Sequence, residues 1–294
     1  MRATFSTKEA MTDSVSTPAR ALIVNADDLG LSTLVNEGIE QAVSAGTVTS
    51  ASLMVNTPGF DDAVRRVHDL GERLEVGLHF NLTTGASVAP TAQVPSLLDG
   101  AGRFLPLAGL LARALGGGVR PKEARVEADA QFARLRAAGI TPTHADSHRH
   151  VHAFPALRGA LAAAAAAAGV KAVRRPLEPL LARPWGLTGA LKRALLAAAW
   201  AVPSGGPQPA PGTDSFRGIA LLGAPSFETD LVELLDALPP GRTELMVHPG
   251  KIDPSVAAWD PYIAEREVEL AALLGARVRE RLARGDIALT RFGG

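Results

Sequence analysis

From Ala21 onward, short apolar runs of β character alternate with helix-length stretches, and this alternation most limits what the chain can fold into. It predicts parallel strands joined by helical crossovers, an α/β fold. The strand candidates are 21–24, 48–55, 74–78, an extended segment from 141, 170–173 and 244–247. Residues 32–46, 122–138, 155–168, 227–238 and roughly 263–284 read as helices. Ser32 or Thr33 can cap the first helix, Val35, Ile39, Ala42 and Val43 share its apolar face, and Gly46 stops it. The 294 residues suit two ordinary domains, and equally one α/β barrel of about 250 residues with tails. Residues 1–20 mix charges with Ser and Thr and are expected to form a disordered leader.

Nearly every strand candidate ends in a reactive group: Asn25, Asp27 and Asp28 after the first, then Asn56, His79 with Asn81, Arg174, and His248. Parallel α/β sheets place their active sites at the carboxyl ends of the strands, so these residues are the site candidates. Two stretches rich in Gly, Pro and Ala, 83–121 and 176–226, break the rhythm. They are expected to be long structureless loops serving as lids over the site.

Several function classes are excluded at this level. With no cysteine there is no disulfide, thiolate metal site or Cys nucleophile. Thirty basic residues balance thirty acidic ones, so no global field draws nucleic acid or an anionic membrane. The longest apolar stretches, 161–170 and 194–202, fall short of the ~20 residues of a spanning helix. The first twenty residues lack the apolar core of a signal peptide, and a cytoplasmic location is expected. No G-x-S-x-G elbow is present, and Gly116-Gly117-Gly118 lacks the Lys-Ser/Thr of a phosphate loop.

Four of the seven histidines, His144, His148, His150 and His152, fall within nine residues. In an extended segment 144, 146, 148, 150 and 152 share a face, whereas in a helix 144, 148 and 152 do. Either way imidazoles cluster, which favours a divalent metal over a solvated loop. Asp27-Asp28 adds what the histidines lack, one carboxylate to hold an ion and a neighbour free to take a proton. Spacing leaves open which histidines bind. A paired-carboxylate glycosidase fits the residue types but leaves the histidine cluster unexplained.

The string Ile23-Val-Asn-Ala-Asp-Asp-Leu-Gly30, followed by Gly46-Thr-Val-Thr-Ser-Ala-Ser-Leu-Met-Val-Asn56, resembles the opening of the YdjC-like carbohydrate deacetylases. Gly77-Leu-His-Phe-Asn-Leu-Thr83 and Thr143-His-Ala-Asp-Ser-His-Arg-His-Val-His152 are similar to later motifs. So are Arg174-Arg-Pro-Leu-Glu178, Thr213-Asp-Ser-Phe-Arg-Gly218 and Glu244-Leu-Met-Val-His-Pro-Gly250. Leu29 replaces the usual Phe, and Phe80 the usual Leu.

This resemblance implies a distorted (β/α) barrel over 21–294 that hydrolyses the N-acetyl group of an acetylated amino sugar. Asp28, His79 and His148 would hold a divalent metal, Mg2+ by resemblance, with Zn2+ the alternative by ligand chemistry. Asp27 would be the general base and His248 the acid for the leaving amine. His144, Asp146, His150 and His152 are expected either to orient the ligands or to be structural. Arg174 would hold Asp27 ionised or be a buried ion-pair partner, and Asp214 would bind sugar hydroxyls or make a turn. His68 reads as surface. The partner implied is the sugar, either a chitooligosaccharide, a lipid-linked sugar or an antibiotic precursor, with no nucleic acid, and a homodimer is compatible with the chain. The competing readings are a metal-dependent phosphoester hydrolase and an inactive sugar-binding homologue.

Overall fold

The computed structural model describes residues 20–183, 186–204 and 210–293. The expected leader therefore lies, but for Arg20, outside the described residues. Among the described residues eight strands run β1 Arg20–Leu29, β2 Ser50–Leu53, β3 Glu75–Phe80, β4 His144–Ser147, β5 Ala172–Val173, β6 Ser215–Arg217, β7 Gly241–Val247 and β8 Ala288–Leu289. The helices are α1 Thr33–Ser44, α2 Phe60–Leu70, α3 Leu107–Leu115, α4 Pro121–Ala137 and α5 Pro155–Ala167. They continue as α6 Leu187–Ala201, α7 Phe227–Asp236, α8 Ala264–Leu274 and α9 Ala276–Leu282.

The strands form one sheet in the order β5-β4-β3-β2-β1-β7-β6, every pairing within it parallel. It curls into an α/β barrel-like half-barrel with helices outside. Among the described residues no ladder joins β5 to β6. β7 covers one edge of β1 from Arg20 to Ala26, while β8 and then β2 share the other. This central position explains why β1 is an almost unbroken buried run, as expected for a parallel strand covered on both faces.

The strand–helix alternation is as the sequence predicts, with three differences. β6 and β8 are only three and two residues long, too short to leave a periodic signal. Residues 263–284 split at Gly275 into α8 and α9. Nor are the two supposed lids structureless. Residues 83–121 contain α3 and bury Val94, Leu97 and Leu110 in the main core. Both oxygens of Glu127 on α4 accept from this segment, from Val88 N at 3.0 Å and Ala89 N at 2.9 Å. Such a segment is stitched to the body rather than free to close. Residues 176–226 contain α6 and β6, and the Ala- and Leu-rich sequence of α6 gives only a weak amphipathic signal.

Gly77 in β3 shows how tightly the floor beneath the strand ends is packed. A Cβ there would meet three atoms of the His144 ring at 2.6 Å, and that ring is itself stacked on Phe292 with centroids 4.1 Å apart. Gly77→Ala is therefore expected to cost about 1–3 kcal/mol through overpacking. Urea unfolding of the variant checks this, and an unchanged midpoint would show that the His144 ring can move aside.

Candidate active site

The carboxyl ends of four strands meet at a cavity of about 510 Å3. β1 brings Asp27 and Asp28, β3 His79, the turn after β4 His148, and the residue after β7 is His248. Consecutive strand residues normally face opposite ways. Here the register slips between Ala26 and Leu29, so that Asp27 and Asp28 together oppose the single residue Ser52. Asp28 takes φ 65°, a left-handed conformation that Asp tolerates better than most residues. This bulge lets both carboxylates line the cavity.

Three donor atoms converge at Asp28. Its Oδ1 lies 3.1 Å from His79 Nε2 and 2.8 Å from His148 Nδ1, with all three side chains buried. Its other oxygen, Oδ2, is held by Arg266 Nη2 at 2.6 Å. Burial opposes ionisation of Asp28, but His148 and Arg266 hold its carboxyl well below the usual range. Behind the site, His79 Nδ1 donates to Asp146 Oδ1 at 2.6 Å, which orients the ring. Burial disfavours the His79 imidazolium, yet Asp146, Asp28 and Asp27 together raise its pKa to about 10. On the far side of His148, Nε2 is buried without a hydrogen bond, 3.5 Å from Asp260 Oδ2.

One carboxylate oxygen and two imidazole nitrogens, spaced like donors around an ion held at ~2.0–2.2 Å, fit a divalent metal. A second grouping, Asp27, His79 and Asp146, does not. Its two carboxylates already flank the Arg174 guanidinium.

Arg174 ties the floor together. Nη1 and Nη2 donate to the two oxygens of Asp27 at 2.6 Å each, Nη2 lies 2.6 Å from Asp146 Oδ2, and Nε donates to Glu244 Oε1 at 2.7 Å. Burial would raise the Asp27 pKa, but Arg174 reverses this and keeps the group ionised throughout the working range. Asn25 Nδ2 adds a bond to Asp27 Oδ1 at 2.9 Å. Glu244, with burial dominant and Arg174 only partly offsetting it, is raised to about 7.

His248 lines the cavity, and its backbone N–H donates to Glu269 Oε2 at 2.6 Å. Its Nδ1 is 3.7 Å from Glu269 Oε1, which also accepts from the Tyr262 hydroxyl at 2.6 Å. Glu269 thus fixes the His248 backbone, while the ring nitrogen Nδ1 is buried without a hydrogen bond.

The remaining histidines separate by environment. After Ser147 the segment is neither extended nor α-helical, because Arg149 and His150 take φ values of 57° and 54°. This turn sends His150 to the cavity, while His152 packs away with Nε2 3.0 Å from Arg174 O. His144 lies below, its Nε2 3.0 Å from Asn25 Oδ1. Burial lowers His144 and His152 to about 4, so both are neutral structural groups. Asp214 does not join the site. It is exposed at the amino ends of β6 and β7, where Oδ2 accepts from Arg242 N at 2.8 Å, a turn role. Of the two supposed lids, only 176–226 lines the cavity, through Thr188, Gly189, Lys192, Ile219, Leu222 and Gly223.

The sequence reading missed Asp260, Tyr262, Arg266 and Glu269. A signal was present, since Arg266 and Glu269 share a helical face with the buried Leu270 and Leu273. Charges on the core side of a helix need buried partners.

A family described as YdjC-like protein matches residues 21–284. The chain belongs to the YdjC-like family. A carbohydrate deacetylase of Geobacillus stearothermophilus is 35% identical, the match covering 93% of this chain and 97% of that protein. Carbohydrate deacetylases of Brevibacillus brevis and Homo sapiens are 36% and 34% identical, covering 92% and 94% of this chain and 98% and 91% of theirs. A solved structure from Enterococcus faecalis V583, named for cellobiose-phosphate cleavage, shares the fold with a TM-score of 0.73 at 24% identity. The alignment covers 93% of this chain and 98% of that one.

In this YdjC-like chain Arg174→Met strands three buried carboxylates, an uncompensated-charge defect worth about 3–5 kcal/mol. Arg174 keeps Asp27 and Asp146 below their ordinary range. Without it their folded pKa values rise, so the variant loses stability as pH climbs through the carboxylate range. The deficit against the parent should therefore be largest near neutral pH and shrink toward pH 4. Denaturant titrations at both ends check the sign.

Proposed function

We propose that the chain removes the N-acetyl group of an acetylated amino sugar, with water as nucleophile and acetate and a free amine as products. The observation that carries the reading is the meeting of Asp28 Oδ1, His79 Nε2 and His148 Nδ1 in one cavity with Asp27 and His248. The carbohydrate deacetylases it resembles supply the substrate class.

Asp28, His79 and His148 would hold a divalent ion. When bound, such an ion supplies Lewis acidity that polarises the acetyl carbonyl and acidifies water. Two imidazoles among three donors suit zinc or another transition ion better than Mg2+, which prefers an all-oxygen shell. Asp27 takes a proton from the attacking water. Its pairing with Arg174 keeps it ionised and so free to accept that proton. His248 gives a proton to the amine as the C–N bond breaks, because an amine departs poorly as an anion. Glu269 fixes the backbone of His248 and lies 3.7 Å from its Nδ1.

Acetate release from a panel of N-acetylated amino sugars, with and without chelator, tests the reading, and phosphoesters run alongside test its nearest competitor. Asp28→Ala, His79→Ala and His148→Ala should each lose the ion by elemental analysis. Asp27→Asn and His248→Ala should keep it but lose about 10²–10⁴ in rate, the usual worth of an acid or base. Full occupancy in His148→Ala would move that ligand to another group.

Ion and proton compete for His79. Its pKa of about 10 makes it an imidazolium in the metal-free protein at neutral pH. Binding through Nε2 should therefore release about one proton per ion near pH 7. Calorimetry in buffers of different ionisation enthalpy reads the number directly, and a value near zero would remove His79 from the ligand set.

A further inference from the structure

Helix α6 bears only two charges, Lys192 and Arg193, and buries only Arg193 and Leu196. Leu187, Leu191 and Leu195 recur every fourth residue and form one outward stripe. Leu180 and Leu181 precede the stripe and Val202 follows it. Arg193 Nη2 donates to Leu180 O at 2.8 Å and so ties that turn to the helix. These six side chains are 50–83% exposed, and they are six of the nine large apolar side chains exposed among the described residues. Such clustering marks an interaction surface rather than scattered surface residues.

Within the segment that carries the stripe the exposed charges have one sign. Over 175–204 the exposed charged residues among those described are Arg175, Arg183 and Lys192, while the lone acid, Glu178, is buried and accepts from Gly218 N and Ala220 N. The same helix also walls the cavity. Thr188 and Lys192, which line it, each follow a stripe leucine by one position, about 100° around the helix.

We propose that this face seats on an anionic lipid surface. Helix α6 lies in the interface plane, its leucines enter the acyl boundary and Arg175 and Arg183 meet the headgroups, while Lys192 faces the cavity. The cavity mouth then opens beside the membrane. A helix that is apolar nearly all round needs a cover. A second copy fits poorly, because an isologous contact would bring the cations of the two faces together with no acid between them. The seat is on the surface, since among the described residues no helix is long and apolar enough to cross a membrane. The inference does not depend on the proposed reaction.

Sedimentation of the full chain with vesicles tests it. One set contains phosphatidylglycerol and phosphatidylcholine in equal parts, the other phosphatidylcholine alone. The chain should sediment with the anionic vesicles, less so as salt rises, and about ten-fold less well with neutral ones. The combined change Leu187→Ser, Leu191→Ser and Leu195→Ser should abolish binding. Arg175→Glu with Arg183→Glu should weaken it about ten-fold while leaving the leucines intact. All five positions are exposed, so both variants should unfold at the parent's temperature. No sedimentation with either vesicle would overturn the proposal, as would equal binding to both or undiminished binding by the leucine variant. So would light scattering that finds a dimer which the leucine variant turns into a monomer, since the face would then join two copies.

Discussion

One guanidinium, that of Arg174, is what makes the floor of this site physically tolerable. Asp27, Asp146 and Glu244 are all buried, and each would be expelled or neutralised if left alone. Arg174 reaches all three from the end of β5, and so joins the carboxyl ends of β1, β4 and β7 through one side chain. Its charge does not cover three carboxylates. The shortfall is met by the His79 imidazolium against Asp146 and by Glu244, whose pKa of about 7 leaves it part-protonated near neutral pH. The site is therefore an electrostatic unit in which moving one proton changes the burden on every other member.

The two carboxylates of the bulge sit in separate halves of that unit. Asp27 faces Arg174, and Asp28 faces Arg266 together with two imidazoles. Each arginine occupies oxygens that would otherwise compete for the same cation, which leaves Asp28 Oδ1 as the oxygen shared with both histidines. Two adjacent residues of identical chemistry are thus given different tasks by their partners alone, a division no feature of the Asp-Asp pair itself could announce.

That explains which parts were legible in the sequence. The parallel strands, their order along the chain and the reactive residues at their ends follow from apolar runs and rare residue types, and the family motifs singled out Asp28, His79 and His148. Asp146 and Arg174 stood within the same motifs and are drawn in through space. Partners that arrive from elsewhere left only a weak trace, the charges of Arg266 and Glu269 on the core side of a helix. Asp260, Tyr262, Arg266 and Glu269 come from the segment after β7, which has no strand-end signature and reads simply as the onset of a helix. Asp214 takes the second of its two expected roles, the turn. It sits in a motif but at the amino end of its strand, and motif membership does not say which end of a barrel a residue occupies.

Backbone strain follows the same geography. Among the described residues only Asp28, Arg149 and His150 lack glycine's freedom and still take positive φ, and all three line the cavity. Conformations of this kind cost of order 1–3 kcal/mol each and persist where surroundings over-determine them. Asp28 is pinned by Arg266 and two histidines, Arg149 by a bond to Trp259 O at 3.1 Å, and His150 by edge contacts with Phe216 and His152. A regular β1 would turn one of the two aspartates away from the cavity, and a regular helix after Ser147 would carry the chain off along its axis. The strained residues are thus the points at which a repetitive parallel sheet is bent to bring unlike side chains onto one spot. Ion pairs hold the bend at Asp28, and a hydrogen bond and ring contacts hold it at Arg149 and His150.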